Sequence, residues 1–345
     1  MPGTKGYRSY RGRAPRGKIA LAVALVLVIV ASIGVMVMQE YCVVYDAEGN
    51  ARLEFPWQRQ DQTETDHPPE ETEEVEVTVQ APETPAGSRV LWLTDTPLTG
   101  VSGTEGLTEN GYDAVAVTLK DSSGSVYYDS EAALSAARNT ADTTAQALAE
   151  LTGGDVHTIA RLACLLDSRA ANADVEGRGL KNTGGYIFYD GNNQNWLDPS
   201  KEGTRTYVGQ LAVECADLGF DEILLTDFSF PTEGKLDKIQ YPEEGMEASL
   251  SGLLTAVRSA LDQAGYEDVL LSVELPAEAV LTGRDEDAGL VLEQIAPLTD
   301  RIYARTIPTQ AQTLADAVEA AGGGLFVPEL QTQPQDLKAY LVEAD

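Results

Sequence analysis

The chain has 345 residues and 43% hydrophobic content, enough for one large domain with appendages. Its formal net charge of −31 sets it against nucleic acid and other polyanions as partners. Two histidines and three cysteines, with no zinc-like spacing among them, imply neither a metal site nor a cofactor, and an odd cysteine count argues against a disulfide framework.

The charge is uneven from the start. Residues 1–18 carry Lys5, Arg8, Arg11, Arg13, Arg16 and Lys18 and no acid, so the remainder is more acidic still. Residues 19–38, "IALAVALVLVIVASIGVMVM", are uncharged and mostly apolar. As a helix they match a hydrocarbon core of about 30 Å at about 1.5 Å per residue. The cationic flank predicts a single-pass anchor in the cell membrane, with the N-terminus cytoplasmic and the acidic bulk extracellular. A cleaved signal peptide is the rival reading. Its apolar region is normally shorter and followed by small residues, whereas this run ends at "MQEYC".

Residues 39–57 read as a short hairpin turning at 48–50. Residues 58–88, rich in Glu, Thr, Pro and Gln, read as an extended acidic linker. From residue 89 to 345, strand and helix signals alternate. Strands are predicted at 89–93, 114–119, 158–166, 222–226, 269–274, 301–305 and 325–330. Amphipathic helices are predicted at 204–218, 249–264 and 311–321, with glycine just past the first two and a glycine triplet after the third. A last helix is predicted at 334–342.

Strand–helix alternation with strands apolar on both faces indicates parallel pairing covered by helices. About 250 residues suit a (β/α)8 barrel of the TIM type. Seven visible strands leave it one short. The eighth would have to come from the irregular 168–195 segment or the linker, or the barrel is incomplete. A doubly wound open sheet is the alternative, but no glycine-rich phosphate turn follows any strand.

In such barrels chemistry sits at the C-terminal strand ends. The polar residues there are Asp95; Thr118, Lys120 and Asp121; Asp167 and Arg169; Thr226 and Asp227; Glu274; and Arg305 and Thr306. Carboxylates converging on one rim suit glycoside hydrolysis, in which one carboxyl donates a proton and another attacks or activates water. Asp227 and Glu274 are the expected catalytic pair. Adjacent strands lie about 4.8 Å apart, which could bring their carboxyls to the roughly 5–5.5 Å of a retaining pair. Lys120, Asp121, Arg161, Asp167, Trp196 and Arg305 are the expected substrate contacts. Each has a plainer reading. A strand-end Asp often caps a turn or helix. Trp196 is either a sugar platform or a loop anchor. Arg161, inside an apolar strand, needs a partner, for which Asp167 and Glu274 are candidates. Asp221 and Glu222, at the opposite end of their strand, read as solvated.

Four blocks carry a family resemblance: "YDAVAVTLKDSSGSVYYDS" (112–130), "HTIARLACLLDSRAA" (157–171), "GGYIFYDGNNQNWLDPS" (184–200) and "LGFDEILLTDFSFPTEG" (218–234). "DRIYARTIPT" (300–309) is a weaker fifth. In order and spacing, from about residue 89 onward, they resemble the putative glycosyl hydrolase domain of bacterial envelope and sporulation-associated proteins. The resemblance implies a (β/α)8 barrel and a cell-wall or surface glycan as partner. The departures are specific. Thr118 stands where the family's second strand ends in Asp. In the fourth strand Thr226 stands at the Asp, Asp227 at a Tyr and Ser229 at an Arg, while Glu274 keeps the acid of the fifth. The family's final strand has no counterpart in this reading. Asp227 thus comes one residue late, and a one-residue shift turns a strand side chain to the other face. It can serve only if a bulge or the strand's end re-aims it. Two functions follow: a membrane-anchored extracellular glycoside hydrolase using Asp227 and Glu274, or a barrel that has lost hydrolysis and serves as a glycan-binding or envelope scaffold module.

Overall fold

The computed structural model describes residues 43–45, 51–53, 87–101 and 106–344. The chain divides into two units, Met1–Val79 and Gln80–Asp345. In the first, Val43–Tyr45 pairs antiparallel with Ala51–Leu53, Tyr45 opposite Ala51. The basic segment 1–18, the 19–38 span and most of the 58–88 linker lie outside the described residues. No helix among the described residues is long and apolar enough to cross a membrane.

The second unit is a closed barrel of eight parallel strands. These are β1 (Arg89–Leu93), β2 (Ala114–Lys120), β3 (His157–Ala163), β4 (Glu222–Thr226), β5 (Leu270–Glu274), β6 (Arg301–Arg305), β7 (Leu325–Leu330) and β8 (Tyr340–Glu343). Each strand pairs with the next in sequence, and β8 pairs with both β7 and β1. The helices α1 (Thr144–Thr152), α2 (Ser168–Ala173), α3 (Glu202–Asp217), α4 (Met246–Ala264), α5 (Ala277–Thr282), α6 (Leu292–Ile295) and α7 (Ala311–Ala320) fall between strands. The open sheet and the incomplete barrel are therefore both excluded.

The eighth strand comes from the segment expected to be a helix. "QPQDLKA" has helix-forming composition, but Tyr340, Leu341 and Val342 are buried, and their backbone completes the ladder between Glu329–Leu330 and 89–92. Long-range pairing overrides local propensity here.

Alternation along each strand separates two cores. Val90, Ala114, Ala116, Ile159, Leu224, Tyr303, Val327 and Leu341 fill the barrel interior. Their neighbours, such as Val115, Ala160, Ile223, Leu225, Val273 and Ile302, pack outward with Leu148, Leu211 and Leu253 of the helices. Cys164 and Cys215 are free thiols in this outer core, consistent with small buried hydrophobes.

The N-terminal end of the barrel is plugged by a polar cluster. Glu222 is fully buried, not solvated. It shares the inward face with Leu224, two residues on. It accepts hydrogen bonds from Ser272 Oγ (2.6 Å) and Tyr303 OH (2.9 Å), lies 2.9 Å from His157 Nε2, and pairs with Arg301 Nη1 at 3.1 Å. Burial pushes its carboxyl up, but His157 and Arg301 outweigh that and hold it below the usual range. Asp221 is half exposed, as expected, and accepts from the backbone and hydroxyl of Thr158.

Candidate active site at the barrel mouth

The interior residues that follow the apolar layer are polar, and they meet at the C-terminal mouth. Arg161, two residues beyond Ile159, is almost fully buried. Its guanidinium carbon stands 4.0 Å over the ring centroid of Trp92, and Nη2 donates to Glu274 Oε2 at 2.7 Å. Of the two partners considered for Arg161, the structure selects Glu274. Trp92 Nε1 in turn donates to Thr118 Oγ1 at 3.2 Å, so the threonine at the end of β2 fixes the ring under the guanidinium.

A third acid belongs to this group. Glu329 of β7 is buried and accepts from Arg305 Nη2 at 2.8 Å. It precedes the strand's last residue, so a reading confined to strand ends misses it. Its parity with the inward Val327 carries the signal. Burial pushes Glu274 above the usual carboxylate range; Arg161 opposes this, and the charges of Glu329 and Asp227 reinforce it.

Asp227 directly follows β4 with φ of +50°, the left-handed region that a non-glycine residue seldom occupies. Asp tolerates it better than most, and such residues concentrate at functional sites. The strand has ended, so face alternation no longer governs this side chain. Its charge is felt at Glu274, and it feels Lys120, Arg161 and Asp121. Burial raises its carboxyl, with Lys120 and Arg161 opposing. The carboxyl makes no hydrogen bond or ion pair among the described residues.

Lys120 and Asp167 lie beneath the mouth, not in it. A one-residue register slip between Thr118 and Lys120 breaks the alternation at the end of β2. Lys120 Nζ then pairs with Asp167 at 3.0 Å, both side chains wholly buried, and donates to the Ala163 carbonyl at 2.5 Å. Asp167 caps α2 by accepting from Ala170 N, and accepts from Tyr207 OH. Gly124, at φ +80°, packs so closely that a Cβ there would come 2.2 Å from Asp167 Oδ1. Neither side chain is exposed to meet a sugar, which corrects the expectation of direct contact.

Asp121 accepts from Ser123 N and Oγ, Ser125 N and Tyr127 OH. Burial works against it, yet these donors hold its carboxyl below the usual value. Trp196 is a buried loop anchor. Its Nε1 donates to Asp190 Oδ2 at 2.9 Å, and its backbone bridges Leu166. Arg305 is exposed at the rim, beside a groove of about 340 Å³ shared with Thr306, Ile307, Pro308 and Leu330. Arg169 bonds the Ala136 carbonyl, and Thr306 bonds Gln310, so neither joins the acids. A larger cavity of about 670 Å³ lies between α3 and α4 and contains none of the expected site residues.

The mouth thus holds an Asp227 carboxyl that makes no hydrogen bond or ion pair among the described residues and a Glu274 carboxyl clamped by a guanidinium, both raised by burial. Among the described residues no group of His, Cys, Asp and Glu is arranged to hold a metal ion.

A protein-family profile described as "Putative glycosyl hydrolase domain" matches residues 104–314. Among solved structures, the PgaB (BpsB) glycoside hydrolase domain from Bordetella bronchiseptica is 15% identical, with a TM-score of 0.51 over 75% of this chain and 94% of its own, and shows the same fold. A hypothetical protein from Ruminiclostridium thermocellum ATCC 27405 is 25% identical over 52% of this chain and 96% of its own, with a TM-score of 0.42. The glycoside hydrolase domain of PelA from Pseudomonas aeruginosa is 15% identical over 72% and 85%, with a TM-score of 0.40. No curated protein matches the sequence.

Proposed function

We propose, because the chain belongs to the Putative glycosyl hydrolase domain family, that its barrel hydrolyses glycosidic bonds in a cell-wall or surface glycan. The observation that carries this is the Glu274 carboxyl clamped by Arg161 at 2.7 Å at the barrel mouth, with Asp227 near enough for its charge to raise Glu274. In this reading Asp227, whose carboxyl burial raises, protonates the leaving oxygen. Glu274, whose anionic form Arg161 favours against burial and whose carboxyl it orients, attacks the anomeric carbon or deprotonates a water. Burial around both strengthens these interactions relative to water.

The test is an assay of the full chain on peptidoglycan and on α- and β-linked oligosaccharides, following new reducing ends. Asp227→Asn and Glu274→Gln should each lower turnover about a hundredfold or more, the contribution of a positioned acid or base. Turnover indifferent to both changes rejects the pair.

A second reading rests on Thr118 and Thr226, which occupy positions where the family resemblance leads one to expect acids. They favour a barrel that binds glycan without cleaving it, and binding without turnover in the same assay would select it. The apolar residues 19–38 behind six cations support a single-pass anchor that leaves the barrel outside the cell. Protease shaving of intact cells tests this: release of the barrel supports the anchor, and full protection overturns it.

A further inference from the structure

Among the described residues, two buried polar atoms at the mouth lack hydrogen-bond partners: Arg161 Nη1 and Glu329 Oε2. Their side chains are 7% and 4% exposed. They face each other at 4.0 Å, a charge contact too long for a hydrogen bond. Orphaned buried groups of this kind are rare and costly, about 1–3 kcal/mol each and more when charged, so they call for an occupant.

The gap cannot simply close. The guanidinium is stacked on Trp92 and tied through Nη2 to Glu274, while Glu329 is tied through Oε1 to Arg305. The two atoms are held apart by their other bonds. An oxygen about 2.8–3.0 Å from each would sit between them at roughly a right angle, within ordinary hydrogen-bond geometry. It would have to accept from the N–H and donate to the carboxylate. A hydroxyl does both. An ammonium has no acceptor and would meet the guanidinium as a like charge.

We infer that the space between Arg161 Nη1 and Glu329 Oε2 is a subsite for one neutral hydroxyl of the bound glycan, which discriminates against an ammonium at that position. The inference rests on the glycan reading given above. Water occupies the subsite when no sugar does, and the sugar hydroxyl displaces it. Because the same guanidinium clamps Glu274, filling the subsite holds Arg161 at Nη1 as well as at Nη2. Recognition of the hydroxyl and orientation of Glu274 are thereby linked through one side chain. Glu329 is a specificity residue in this scheme, and Arg161 a positioning residue.

The experiment uses the full chain with three soluble probes: cellohexaose, chitohexaose and fully deacetylated chitohexaose. Crystals are soaked with each, and affinities are measured for wild type and for Glu329→Gln. The amide of the variant turns either a donor or a weaker acceptor toward Arg161. The expected result is a sugar oxygen within 3.2 Å of both atoms in a complex, and an affinity loss of about tenfold in the variant for the same probe. Thermal denaturation of the variant checks that it folds, and Arg161→Lys, which keeps the charge but cannot reach both acids, should reproduce the loss. A water still held between the two atoms while a glycan fills the mouth overturns the inference, as does unchanged affinity in a folded Glu329→Gln. Turnover with that water retained leaves the hydrolase reading standing and removes this one. A hydroxyl seated in the gap without turnover does the reverse. If none of the three probes binds, both fail.

Discussion

Arg161 Nη2 lies 2.7 Å from Glu274 Oε2, and the guanidinium that makes this bond is pinned 4.0 Å above Trp92. Arg161 is nearly removed from solvent and Glu274 is 27% exposed, so truncating the arginine leaves a largely buried carboxylate without its partner. Arg161→Ala is therefore expected to destabilise the protein by about 3 kcal/mol and to push the Glu274 carboxyl still higher. Denaturant titration and the acid limb of an activity profile measure the two effects. A variant as stable as wild type would show that the pair is slack.

Asp227→Asn should raise stability at neutral pH. The Asp227 carboxyl is lifted above its usual value by burial, so the folded state binds the proton more tightly than the unfolded one. Such a group favours the fold at low pH and works against it once ionised. Asparagine removes the charge and is at ease with a positive φ. A gain of about 1 kcal/mol is expected by denaturant titration at pH 7 and should vanish near pH 4. A loss of stability would contradict the burial of an ionised acid at this position.

The pH profile of turnover should be a bell displaced upward. Glu274 must lose its proton and Asp227 must keep one, and both carboxyls are raised. The acid limb then lies above the ordinary carboxylate range of about 4, and the alkaline limb reports Asp227. The two limbs belong to the pair as a coupled system. An optimum below pH 4 would remove this assignment.

Glu222→Gln tests the plug at the other end. Glu222 is depressed in the fold, so it contributes stability above the ordinary glutamate value of about 4.3 that is lost as pH falls through its folded value. The variant should cost about 3 kcal/mol at pH 7, and its stability should fall less steeply below about pH 4. A chemical denaturation series across pH 2–7 reads both. Parallel curves for the two proteins would show that Glu222 is not the group responsible.

Lys120→Met separates support from recognition. The Lys120–Asp167 pair is wholly buried, so removing the cation should cost about 3 kcal/mol, and adding Asp167→Asn should recover part of it. Glycan affinity measured well below the melting temperature should stay within about twofold. A larger change would place Lys120 in contact with the ligand after all.

Much of this architecture was legible before any coordinates. Seven strands and three long helices announce themselves through apolar runs and periodicity, and the strand-end acids fall out of the parallel topology. The rest was hidden for identifiable reasons. β8 is a strand only because residues more than two hundred positions away supply its partner on one side. Lys120 looks like a rim residue until a slip in register takes it out of the alternation. Glu222 and Glu329 share parity with the inward Leu224 and Val327, a signal that the usual solvation of a charge at Glu222's strand end and the position of Glu329 one residue short of its strand's end both obscure. Arg161 needs a partner on sequence grounds alone, but only packing chooses Glu274 over Asp167.

The pairing of Tyr340 with Arg89 has a consequence for biogenesis. The ring cannot be sealed until residues 340–343 have emerged from the ribosome. Until then the first and seventh staves both expose unsatisfied amides and carbonyls, which are templates for joining another nascent chain. Deleting those four residues would fix the protein permanently in that vulnerable condition, even though every acid at the rim except Glu343 would still be present.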